Sequence, residues 1–359
     1  MNIKKLLERF SGVVSPSGYE YMAKPELNKI IEENFKDVFD SVIFDRFGGV
    51  RLTKKAAPEI PNPKKILFDA HIDQIGLVVT EILESGFLRV KTIGGIDANI
   101  LPASEFYVYT YEKNEPFIFD ANKKIPAFAI SVPPHLSKSS ENNLPKIEDV
   151  YLDTGYDSKE ELEKFVRIGS PVTFKSGFLN LENGLVSYAG MDDKLCALIL
   201  MLAVKSLKFI PKTEIHIVLS VSEETGGYGA AVSAFEIAPD LAFVFDAGFS
   251  RDPGIDSAVS FEIGKGPGIS YSAAANINLT KKIINFAKNK NIPLQIIAEP
   301  GKTGTNADTI QITGSGIPCA LFSVPLKNMH TYNEICHLGD IEKTIKLICD
   351  IIENAEEFI

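Results

Sequence analysis

The chain has 359 residues, 45% of them hydrophobic, and a net charge of −10. That length buries a full core and suits two domains better than one, and the composition is that of an ordinary globular protein. No dense Lys/Arg patch interleaves with aromatic residues, which speaks against a nucleic-acid partner, and no apolar run reaches membrane-spanning length.

The first segment, Met1 to Phe10, reads as an amphipathic helix. Charges interrupt every apolar stretch, so it does not read as a signal peptide. A turn at Ser15-Pro16-Ser17-Gly18-Tyr19-Glu20 leads to a second helix over 22–33. Lys65 to Ala70 is a short buried strand ending at His71-Ile72-Asp73. From Gly76 to Ser187 short strands dominate: 76–83, 87–93, 105–111, 125–132, 149–154 and 171–174. Gly94-Gly95 and Pro133-Pro134 punctuate them, and only 158–166 looks helical. This texture predicts a small β-barrel or sandwich. From Met191 onward helix and strand alternate. Helices are expected over 192–207, 228–235, 279–288, 307–312 and 340–358. Strands are expected at Ile215 to Val221, 241–246, 294–298 and 319–324. Such alternation predicts an α/β fold: a mixed, largely parallel sheet flanked by helices. The β-rich stretch 76–187 is then an insert in a domain built from 1–75 and 188–359.

Four cysteines, Cys196, Cys319, Cys336 and Cys349, show no CxxC spacing. Cys196, Cys319 and Cys349 lie in apolar contexts and read as small core residues. Free thiols in a reducing, cytoplasmic compartment are expected.

Acidic and imidazole side chains gather at predicted strand ends and helix starts. His71 and Asp73 follow one strand. Asp192 and Asp193 open the long apolar helix. Glu223 and Glu224 end another strand before Gly226-Gly227, Asp246 ends a third, and His330 follows a fourth. In a parallel sheet those ends share one edge. Each residue has an ordinary structural explanation. His71 or His330 could be a loop histidine, Asp73 a turn cap, Asp192 and Asp193 helix N-caps, and Asp246 an Asx-turn residue. Glu223-Glu224 could be a solvated turn. These account for each residue singly but not for the set. Two imidazoles with three carboxylates suit Zn²⁺ or Co²⁺ better than Ca²⁺ or Mg²⁺. The number fits two ions sharing one carboxylate. The Glu doublet offers a ligand and a base from adjacent positions.

The chain resembles the M42 family of dinuclear-metal aminopeptidases. The resemblance runs through Ser17-Gly18-Tyr19-Glu20, His71-Ile72-Asp73-Gln74-Ile75-Gly76-Leu77 and Ile93-Gly94-Gly95-Ile96-Asp97. It continues in Pro133-Pro134-His135-Leu136, Met191-Asp192-Asp193-Lys194, Ser222-Glu223-Glu224, Gly229-Ala230 and Phe245-Asp246. It ends with Gly264-Lys265-Gly266-Pro267, Gly304-Thr305-Asn306-Ala307-Asp308 and Met329-His330. The resemblance implies a fold of the metallo-aminopeptidase, or phosphorylase/hydrolase-like, type. It also implies two divalent metal ions per subunit, zinc or cobalt, bridged by Asp192. His71 and Asp246 would complete one ion, and Glu224 and His330 the other. Glu223 would be the general base and acid, and Asp73 would orient His71. Peptides would be the substrates, with no membrane partner. The insert would serve assembly into a homododecamer, a tetrahedral shell with inward-facing sites. Gln74, Lys194 and Lys327-Asn328 depart from residues common in the family, and none removes an implied ligand or the base. Two other readings stand beside this one. One is another dinuclear hydrolase, such as a glycosidase (endoglucanase-like) or a deacylase. The absence of Trp speaks against a glycosidase. The other is a non-catalytic shell protein, which should have lost ligands, and none is missing.

Overall fold

A computed structural model of the protein describes residues 3–112, 115–131 and 146–359. Val132 and Pro133-Pro134-His135-Leu136 therefore lie outside the described residues.

Apolar side chains at helical spacing bury one face of α1 (Ile3–Ser11) through Leu6, Leu7 and Phe10, and one face of α2 (Lys24–Phe35) through Leu27, Ile30 and Ile31. A hairpin follows, β1 (Ser41–Phe44) with β2 (Val50–Lys54). Then comes β3 (Lys65–His71), buried at every position after the first, as a central strand requires. The chain next builds a barrel from β4 (Gly76–Ile82), β5 (Leu88–Ile93), β6 (Glu105–Glu112), β7 (Glu115–Ile130), β8 (Tyr151–Asp153) and β9 (Pro171–Phe174). It closes in the order β4-β5-β8-β7-β6-β9 around Leu77, Leu88, Phe106, Val108, Leu152 and Val172. The stretch expected to be helical over 158–166 is helix only in α3 (Lys159–Leu162). The strand expected over 125–132 begins earlier, at Glu115, because it pairs along β6.

After the barrel, β10 (Leu179–Asn180) and β11 (Leu185–Tyr188) pair in a separate sheet whose third strand is β17 (Glu334–His337). Then α4 (Met191–Ser206) is buried from Met191 through Val204, an apolar helix sunk in the core. Next come β12 (Glu214–Ser220), α5 (Tyr228–Ile237), β13 (Leu241–Phe249), β14 (Gly268–Ser272), α6 (Ile277–Asn289), β15 (Gln295–Glu299), α7 (Ala307–Ile310) and β16 (Cys319–Leu326). The helix α8 (Leu338–Glu353) ends before Phe358, where a 3-10 turn takes over.

The large sheet has the order β1-β2-β12-β3-β13-β16-β14-β15. Its centre is parallel: β12 with β3, β3 with β13, and β13 with β16. One face carries the main core, with α1, α2, α4, α6 and α8. Ala230, Ala234, Ala307 and Ile310 of α5 and α7 pack on the other. The fold is therefore mixed α/β, a mostly parallel sheet covered on both faces plus a closed antiparallel barrel. All four cysteines are free. Cys336, whose local sequence is polar, is buried in β17, whereas Cys349 is only half-buried. No helix among the described residues is long and apolar enough to cross a membrane.

Candidate metal centre

The adjacent parallel strands β12, β3, β13 and β16 point their carboxyl ends at one edge of the sheet, where α/β folds place ligands. His71 is the last residue of β3. Asp192 sits in the first turn of α4, and the peptide joining it to Asp193 is cis. Glu223 and Glu224 lie in the turn between β12 and α5. That turn is tight: a Cβ on Gly229 would come within 2.5 Å of the Val221 carbonyl oxygen. Asp246 does not end its strand, since β13 continues to Phe249 along β16. His330 follows β16.

The structure brings all five expected ligands together. Asp192 lies between the two imidazoles, Oδ1 3.3 Å from Nε2 of His71 and Oδ2 3.3 Å from Nε2 of His330. Asp246 Oδ1 is 3.8 Å from His71 Nε2, and Glu224 Oε2 is 3.5 Å from His330 Nε2. Glu223 Oε2 is 3.8 Å from His71 Nε2. Two donors bonded to one tetrahedral zinc ion stand about 3.3 Å apart, so these separations suit shared cations. Among the described residues, two sets keep their donor atoms within 4.8 Å of one another: His71, Asp192 and Glu224, and His71, Asp193 and Asp246. Buried oxygens of Asp192, Asp193 and Glu224 have no hydrogen-bond partner. Unpaired buried carboxylate oxygens are costly unless a cation meets them. The donor set fits a metal centre.

Other residues hold this set in place. Asp73 is fully buried, and its carboxylate accepts the backbone N–H groups of Glu223 (3.1 Å) and Glu224 (3.2 Å). His71 Nδ1 lies 3.0 Å from the main-chain oxygen of Asp73 and 3.4 Å from its carboxylate. On the other side, His330 Nδ1 lies 2.8 Å from the carbonyl oxygen of Gly95, just past barrel strand β5. Glu334 accepts the N–H groups of Met191, Asp192 and His330. Glu20 accepts the N–H of Ser222, and Ser17 meets the Thr225 hydroxyl at 3.0 Å, so the Ser17–Glu20 motif buttresses the glutamate turn. Lys194 donates to Gln74 and to the Val13 carbonyl, linking two of the departures from the family pattern in one buried contact.

The electrostatics show the same excess of negative charge. Burial lifts Glu223 to about 7 against the pull of His71, and Glu224 to about 8 with Asp192 adding to it. Burial and the charge of Asp193 raise Asp246 well above the carboxylate range. Burial would also raise Asp192, but His330 and His71 outweigh it and hold Asp192 low. Burial alone would lower His330, yet Asp192 raises it to about 10.

Sequence reasoning did not single out Glu334 or give Asp193 a place. Glu334 stands in a polar stretch with nothing local to mark it. The adjacency of Asp193 to Asp192 resembles an ordinary pair of helix caps. A cavity of about 380 Å³ opens onto Asp192, Glu223, Glu224, Asp246 and His330.

The family model described as M42 glutamyl aminopeptidase matches residues 48–347. The lysyl aminopeptidase of Pyrococcus furiosus is 32% identical over 358 residues, covering 99% of this chain and 96% of that protein. The structure of a TET aminopeptidase from a marine sediment Thaumarchaeota archaeon matches with a TM-score of 0.87 at 28% identity, over 98% of this chain and 95% of that one. The TET1 peptidase of Pyrococcus horikoshii, described as assembling into a tetrahedron or a large octahedral shell, matches with a TM-score of 0.80 at 29% identity, over 97% and 98% of the two chains. The chain belongs to the M42 family of aminopeptidases.

Proposed function

We propose that this M42 family member hydrolyses the N-terminal residue from peptides at a centre of two divalent cations, zinc or cobalt. Asp192 would bridge them, His71 and Asp246 would complete one, and Glu224 and His330 the other. The observation that carries this reading is Asp192 set between two imidazoles, 3.3 Å from each, with Asp246 beside one and Glu224 beside the other. Cations held there polarise a scissile carbonyl and acidify water.

The chain supplies the proton chemistry. Glu223 is left outside the ligand set and is the general base, taking the proton of the attacking water and passing it to the leaving amine. Asp73 fixes the main chain of the glutamate doublet, so the ligand and the base are aimed by one carboxylate. The Gly95 and Asp73 carbonyls engage Nδ1 of His330 and His71, leaving each Nε2 to face the carboxylates.

The assembly is a homododecamer, a tetrahedral shell in the cytoplasm. The tetrahedron described for the Pyrococcus horikoshii relative and the four free cysteines support this. Its native mass should be about twelve times the 39.4 kDa chain. The family model and the Pyrococcus furiosus relative carry different substrate names, glutamyl and lysyl, so membership alone does not set the side-chain preference.

The test is Glu223→Gln. Metal content should stay at two ions per chain while turnover of aminoacyl-p-nitroanilides falls by about 10² or more, the scale of a lost general base. Wild-type turnover in that variant would refute the assigned role. Carbohydrate and acylated substrates run beside the aminoacyl panel separate a glycosidase or deacylase from an aminopeptidase. Metal-poor protein that stays inert after Zn²⁺ or Co²⁺ addition would favour a non-catalytic shell.

A further inference from the structure

We infer that Glu299 makes this site prefer peptides that begin with a basic residue, lysine or arginine. The inference rests on the aminopeptidase reading above. The cavity in front of the candidate metal centre is walled on one side by Phe249, Val259 and Phe261. Phe261 is fixed in that wall. A Cβ on Gly268 would lie 2.0 Å from its ring, and one on Gly248 2.8 Å, so both glycines are the space the ring occupies.

Among the residues lining this cavity, Glu299 is the one carboxylate outside the cluster at the metal centre. It is the last residue of β15. Its Oε2 is buried and has no hydrogen-bond partner. The loop that follows is held by Asp308, which accepts the N–H groups of Thr303 and Gly304, so the wall beyond Glu299 is also fixed. Among the described residues, no lysine or arginine lines the cavity. Its one imidazole, His330, is already engaged with Asp192 and Glu224.

An apolar wall with a lone carboxylate matches a side chain that has an alkyl stem and a cationic tip. An aliphatic side chain would cover the Glu299 carboxylate without offering it a donor, which a site rejects more strongly than a missing methylene. An acidic side chain would meet the like charge of Glu299.

The experiment uses the metal-loaded full-length protein. It compares kcat/KM for lysyl-, arginyl-, leucyl- and glutamyl-p-nitroanilide between wild type and Glu299→Gln. Calorimetric binding of free L-lysine and L-leucine gives a readout independent of turnover. Wild type should favour lysyl over leucyl by at least about tenfold, the factor that 1.4 kcal/mol supplies. Glu299→Gln should cut that ratio by about tenfold and weaken lysine binding by a similar factor. Equal cleavage of leucyl and lysyl substrates by wild type, or an unchanged ratio in the variant, overturns the inference and leaves the aminopeptidase reading standing. No turnover of any aminoacyl substrate overturns that reading instead. In that case lysine binding still judges Glu299, and binding insensitive to Glu299→Gln overturns the inference too.

Discussion

Replacing Asp73 with asparagine separates two jobs that this residue performs. Its carboxylate accepts two backbone N–H groups, from Glu223 at 3.1 Å and Glu224 at 3.2 Å, in a fully buried position. An asparagine has a single acceptor oxygen, so one of those N–H groups would face an amide NH₂. Losing one buried bond to a charged acceptor costs about 1.5–3 kcal/mol. The His71 ring is affected less, because its Nδ1 is engaged 3.0 Å away by the main-chain oxygen of residue 73, which survives the substitution. The fault is therefore expected in the glutamate turn. Denaturant unfolding of chelator-treated protein, at matched protomer concentration, should show the stability loss. Turnover of the metal-loaded variant should fall about 10–100-fold, the usual range when a residue supporting metal ligands is changed. An Asp73→Asn protein equal to wild type in metal-free stability and in turnover would refute the claim that this carboxylate aims the doublet.

Two further outcomes are expected. Gly268→Ala puts a methyl group 2.0 Å from the Phe261 ring; overpacking of this kind costs about 1–3 kcal/mol, and the displaced wall should raise KM, read by steady-state kinetics with a lysyl substrate. For His216, burial lowers the pKa against the pull of Glu214. The unfolded chain then binds the proton more tightly, so the stability at stake is complete above about pH 6.5 and is lost as pH falls through the lower folded value. Melting curves between about pH 8 and pH 5 should show wild type losing more stability toward acid than His216→Gln.

Much of this architecture is legible in the sequence because the period of the apolar residues changes at the right places. The alternation after Met191 gives the helices and parallel strands, and the short runs from Gly76 give the barrel strands. Three of the strands not expected from the sequence have distinct physical reasons. Ser41–Phe44 is a half-exposed edge strand with no apolar alternation, and Gly268–Ser272 is built largely of glycine and serine. Leu185–Tyr188 is stabilised by Glu334–His337, far along the chain, which no local pattern reveals. The site follows the same rule. Residues that stand at strand ends beside glycines are visible as candidates. Glu334 gains its place only through three backbone N–H groups that the fold delivers to it.

The 2.8 Å contact between the Gly95 carbonyl and His330 Nδ1 joins the barrel to the sheet edge at a single proton. Any movement of β5 relative to β16 would stretch that contact and weaken the electron donation that makes the opposite ring nitrogen a better donor. The barrel cannot then be treated as detachable packaging. A protein trimmed to its large sheet would keep every candidate ligand in its sequence and still lose the partner of His330 Nδ1. Forces that strain the barrel would reach the candidate metal centre through that same hydrogen bond.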